Sequence, residues 1–149
     1  MEWYFRAADA AKAVSERRAF TKFLRARCTP GSDCQAAEIV FGELVANVVR
    51  HAPGPIEIML RSTPRGAVTL EVCDTAAHFK VTRPTQPPLN AESGRGLYVI
   101  WHLCGNLSRT KTPTGGKMSV VLPVVRLQTR NLDDGSQKLR ELRSLRQIE

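Results

Sequence analysis

The chain has 149 residues, enough for one domain with a real core, and 42% of them are hydrophobic, as in ordinary soluble globular proteins. No run approaches the length of a membrane span, and Met1-Glu2-Trp3-Tyr4-Phe5-Arg6 lacks the basic and apolar regions of a secretory signal, so a cytoplasmic protein is expected. Lys and Arg number 22 against 14 Asp and Glu, a net charge of +8 that favours acidic partners such as nucleic acid, nucleotide phosphate or an acidic protein. The positive charges are spread along the chain rather than held in one block.

In chain order, residues 2–6 are aromatic and suit a strand. Residues 9–28 carry Ala13, Phe20, Leu24 and Cys28 on one stripe, with Arg17, Lys22 and Arg25 outside it, which predicts a helix. Thr29-Pro30-Gly31 stops it. Ser32 followed by Gln35 resembles a capping box, opening a second helix with Ala37, Phe41, Leu44 and Val48 on its apolar side. Pro53-Gly54-Pro55 ends that helix. Ile56, Ile58 and Leu60, then Val68, Leu70 and Val72, alternate with polar residues across a Pro64-Arg65-Gly66 turn, predicting paired, half-buried strands.

Residues 75–93 hold three prolines and no period, and loops of this length are usually functional or disordered. Residues 96–104 read as a short helix, followed by strands near 106–112 and 117–125. From Asn131, Leu139, Leu142, Leu145 and Ile148 alternate with Lys138, Arg140, Arg143 and Arg146, predicting a basic amphipathic helix. The expected organisation is a domain over 1–125 with a tail over 126–149, and the class is α+β with helices layered on one sheet face. Cys28, Cys34, Cys73 and Cys104 are irregularly spaced, with no CxxC or His-x-His pair, which argues for reduced thiols and against a zinc site.

Three short segments carry chemistry. Glu43, Asn47 and His51, four and four apart, share one ridge of the second helix. An Asn carbonyl can ligate a hard cation such as magnesium, a carboxylate can take a proton from an attacking hydroxyl, and Arg50 can reach phosphate. The plainer reading is a solvated helix edge. Val72-Cys73-Asp74 ends a strand in an acid, which can accept from an exocyclic amine of the kind adenine offers, where guanine offers a carbonyl. Alternatively, Asp74 simply starts a turn. Glu92-Ser93-Gly94-Arg95-Gly96-Leu97 leads into a helix, so backbone N–H groups can approach phosphate there, although Gly-x-Gly alone also fits a flexible turn.

Their succession is more specific than any one of them. It resembles the GHKL (Bergerat-fold) ATP-binding domain, and within it the anti-sigma-factor serine kinases of bacteria. Glu43-Leu44-Val45-Ala46-Asn47-Val48-Val49-Arg50-His51 is similar to their N-box, Gly94-Arg95-Gly96-Leu97 to the second glycine box, and Gly115-Gly116-Lys117 to the last hairpin. The likeness covers about residues 3–125. It implies a two-layer α/β sandwich with a mixed, mostly antiparallel sheet, and ATP and magnesium as cofactors. Asn47 would bind magnesium, Glu43 would be the general base and Asp74 would select adenine. Arg50, His51, Gly94, Arg95, Gly96 and Leu97 would surround the phosphates, and residues 78–93 would form a lid. The chain departs from the family where Asp74 is followed by Thr75-Ala76-Ala77-His78 rather than by glycines.

The implied activity is a serine/threonine protein kinase that phosphorylates a STAS-domain anti-anti-sigma protein and holds a sigma factor, in some members as a homodimer. A partner-sequestering module on the same fold and a nucleic-acid binder, which rests only on charge, are the competing classes. A histidine-kinase catalytic domain is the other enzyme reading, weakened by the lack of a phosphoacceptor helix ahead of residue 1.

Overall fold

The computed structural model describes residues 1–77, 80–88 and 94–127. The expected tail helix lies outside the described residues, as do His78 and the two ends of the expected lid. Between those ends, residues 80–88 form no regular element.

Five strands make one sheet: β1 (Glu2–Ala7), β2 (Ile56–Ser62), β3 (Ala67–Asp74), β4 (Ser108–Thr112) and β5 (Gly115–Val125), in the order β1-β2-β3-β5-β4. Every described pairing is antiparallel, in keeping with the expected mostly antiparallel sheet, and no described parallel pair makes it mixed. Side chains in a strand alternate between faces, so Ile56, Ile58 and Leu60 of β2 and Val68, Leu70 and Val72 of β3 all turn inward. They meet α1 (Arg17–Arg25) and α2 (Cys34–His51), with α3 (Arg95–Cys104) alongside α2. The opposite sheet face mixes ion pairs with exposed Tyr4, Val121 and Val125. Lys117 pairs with Glu71 there at 2.9 Å, and Arg6 with Glu57 at 3.3 Å. The result is an α+β, two-layer sandwich.

The stripe expected over 9–28 is buried as drawn: Ala13, Phe20, Leu24 and Cys28 all join the core. Its backbone, however, is not one helix. A 3-10 helix over Ala10–Val14 precedes α1, with Asp9 capping Ala11 N–H at 2.9 Å and the Ser15 hydroxyl bonded back to the Lys12 carbonyl at 2.8 Å. Such local side-chain bonds compete with helix continuation.

The cap of α2 is also one residue later than Ser32. Asp33 accepts from Ala36 N–H at 2.9 Å, while the Ser32 hydroxyl accepts from Val125 N–H at 2.9 Å and ties the turn to β5. Phe20 and Phe41 stack at 4.5 Å, and Trp3 sets its edge on both. Both phenylalanines are fully buried, so truncating Phe41 to Ala is expected to remove about 3–5 kcal/mol of stability. This core fixes the α2 axis against the sheet, and with it the ridge that carries Asn47.

Candidate functional site

A cavity of about 360 Å³ opens between α2, the end of β3 and the start of α3. Its walls are largely apolar, from Leu44, Val48 and Ala52 on one side and Ala76, Leu97 and Met118 on the other. Asn47, Arg50 and His51 line it from α2, Gly94 and Gly96 from the turn into α3, and Asp74 from the sheet. An apolar slot with a few convergent polar groups is the usual form of a small-molecule site. Arg50 and His51 are exposed at the last turn of α2, where positive charge also complements the helix dipole.

The turn into α3 depends on two glycines. Gly94 is the N-cap in the left-handed region, at φ 82°, which non-glycine residues reach only at a cost. Having no side chain, it caps none of the first helical N–H groups itself, and such groups together with the helix dipole favour an anion. Gly96 serves packing: a Cβ there would lie 2.6 Å from Glu43 Oε2 and 3.6 Å from Asn47 Nδ2. Glu43 and Asn47 are thus brought together beneath the glycine turn, as their spacing predicts. Glu43 does not line the main cavity. It faces a second hollow of about 310 Å³, bordered by Val14, Arg17, Gly42 and Ala46. Arg95 is exposed on the first turn of α3 and is not among the residues lining the cavity.

At the other end, Asp74 does not present an open carboxylate. Arg109 of β4 grips it through both nitrogens, Nη1 to Oδ2 at 2.9 Å and Nη2 to Oδ1 at 2.7 Å. The side chains are only 5% and 2% exposed. Oδ1 also accepts from Ala76 N–H at 2.8 Å, and Nη2 also donates to the Ala76 carbonyl at 3.1 Å. Ala76 therefore closes an Asx-type turn without positive φ; no described non-glycine residue has one. The missing glycine is accommodated here by a side-chain bond.

Gly115 and Gly116 make room for this pair. A Cβ on Gly115 would run into the Asp74 carbonyl and Thr75, and one on Gly116 into the Arg109 guanidinium. Arg109 is the site residue that sequence reasoning missed. Its signal was faint: it alternates with buried Leu107, which marks an inward-facing position, and an inward Arg requires an acid. Nothing in the sequence names Asp74 as that acid.

All four cysteines are free. Burial raises each thiol, and for Cys104 pushes it up to about 11. Among the described residues, no group of three or more His, Cys, Asp or Glu could hold a metal, so a cation beside Asn47 would draw most of its ligands from elsewhere, such as water or phosphate oxygens.

Residues 6–122 match the family described as the histidine kinase-like ATPase domain, and the chain belongs to that family. No curated protein matches it. Among the described residues, no helix is long and apolar enough to cross a membrane.

Proposed function

We propose that this chain binds ATP with magnesium in the cavity between α2 and α3 and acts as a serine/threonine protein kinase of the anti-sigma type. The observation that carries the reading is that one largely apolar cavity gathers Asn47, Gly94 and Gly96 of the turn into α3, and Asp74. In this reading the base lies against Leu44, Val48 and Met118, near Asp74. The phosphates lie at the α3 N-terminus, with Arg50 and His51 nearby. The Asn47 carbonyl would hold a magnesium ion, which would supply neutralisation of the phosphate charge.

Glu43 is the base. A serine or threonine hydroxyl entering from the hollow beside Arg17 and Ala46 would attack the γ-phosphorus, the bond to the β–γ bridging oxygen would break, ADP would leave, and Glu43 would hold the hydroxyl proton. By the family resemblance, the acceptor is a STAS-domain antagonist. Its phosphorylation adds about two negative charges at pH 7 and weakens docking near Glu43, freeing the kinase for a sigma factor. The setting is cytoplasmic, and the family resemblance extends to a homodimer.

The test is incubation with ATP, magnesium and the STAS proteins of the same cell, with phosphate mapped by mass spectrometry. Phosphoserine or phosphothreonine on one STAS protein, absent with Glu43→Gln, is expected. Tight, ATP-independent capture of a partner with no phosphate transfer would favour the sequestering module instead. That second reading draws on one observation: Arg109 already occupies much of the carboxylate that adenine would use.

A further inference from the structure

The Asp74–Arg109 pair bears on which base the cavity accepts, and the inference rests on the nucleotide reading above. A carboxylate offers about four acceptor places. Among the described residues, three are filled: Oδ1 takes Ala76 N–H and Arg109 Nη2, and Oδ2 takes Arg109 Nη1. One place on Oδ2 remains for a ligand. The pair is almost wholly buried, so its two charges compensate each other in a medium where an isolated carboxylate would act strongly on any base. Arg109 is not an accidental neighbour. Its guanidinium occupies the space a Cβ on Gly116 would need, and it bonds the Ala76 carbonyl at the turn that closes the cavity.

We propose that Arg109 is the residue that sets base selectivity in this cavity, by competing with the base for Asp74. An unshared carboxylate rewards an amine and repels a carbonyl. A carboxylate shared with a guanidinium does both more weakly. The cavity therefore prefers a 6-amino purine over a 6-oxo purine only modestly, and the margin is held down by Arg109. Arg109 acts through Asp74, as a specificity-determining residue, and takes no part in phosphoryl transfer.

The probes are ATP and ITP, which share every group except the 6-amino against 6-oxo edge and its N1 proton. Calorimetric titration of the wild-type protein should give an ITP-to-ATP Kd ratio of about 3–10, where an unshared charged acceptor would give on the order of 10–100. Arg109→Gln removes the compensating charge and most of the grip, and should raise the ratio at least about fivefold. The double variant Asp74→Asn with Arg109→Gln buries no charge, so it carries the test if the single variant does not fold. Its ratio should fall to about one, since an amide both donates and accepts.

A wild-type ratio near one or well above about ten, an unchanged ratio in Arg109→Gln, or the wild-type ratio retained in the double variant would overturn the role given to Arg109. Failure of the wild-type protein to bind either nucleotide would instead overturn the nucleotide reading itself, and Arg109's part with it.

Discussion

Glu43 and Gly96 are in van der Waals opposition across the α2–α3 contact: the carboxylate occupies the space that any side chain at position 96 would need, 2.6 Å from its first carbon. A methyl at 96 fits only if the Glu43 carboxylate, the far end of a flexible side chain, swings aside. Gly96→Ala should therefore cost less than about 1 kcal/mol in stability, and its effect should fall on phosphoryl transfer, through displacement of Glu43 from the glycine turn. Thermal denaturation and a transfer assay on the same variant test this. A loss of stability above about 2 kcal/mol would show that Glu43 is held rigidly under Gly96.

Glu43→Gln keeps the size of the side chain and its seat under Gly96 while removing the carboxylate proposed as the base. Calorimetry should find ATP affinity within about threefold of wild type, and phosphoryl transfer should fall by about 100-fold or more. A full rate would return Glu43 to a packing role.

The buried pair makes Asp74→Asn a harsher change than its shape suggests. It takes the Asp74 carboxylate away from the Arg109 guanidinium, whose side chain is only 2% exposed. Removing one partner of such a pair is expected to cost about 3–5 kcal/mol, whereas removing both is much milder. Denaturant melts of Asp74→Asn, Arg109→Gln and the double variant should place the double above either single. If both single variants melt like wild type, the pair contributes nothing to the fold.

Thiol chemistry gives a pH test. Burial pushes Cys104 from 9.0 up to about 11, and raises Cys28, Cys34 and Cys73 as well. An acid whose folded pKa is raised ionises first in the unfolded chain. Its contribution to stability is complete below about 9 and is lost as the pH rises through about 11. Melting temperature should therefore decline over that window, and less steeply in Cys104→Ala. Native protein at pH 8 should react slowly with a thiol reagent, and denatured protein should release four reactive thiols. Fast labelling of Cys104 in the native state would contradict a thiol raised to about 11 by partial burial.

Much of this protein was determined by local sequence. Period-two alternation placed β2 and β3, because one face of each strand must be buried, and the helical spacing of Glu43, Asn47 and His51 put them on one ridge before any tertiary contact was known. The order of those motifs also pointed to the family that residues 6–122 match. Where reasoning from pattern missed, a side chain had chosen a distant or local partner that pattern does not encode. Ser32 left the helix cap to Asp33 and bonded to β5 instead, 93 residues away, and Asp9 and Ser15 split the first helical stripe. The partner of Asp74 is the largest such case. Sequence identified the acid at the end of β3, but only the antiparallel stacking of β3, β5 and β4 brings Arg109, 35 residues away, across a bare Gly116 to meet it. Periodicity sets which face a side chain takes, because backbone geometry is local. Which buried charge meets which is decided by desolvation, and that acts only once the layers have closed.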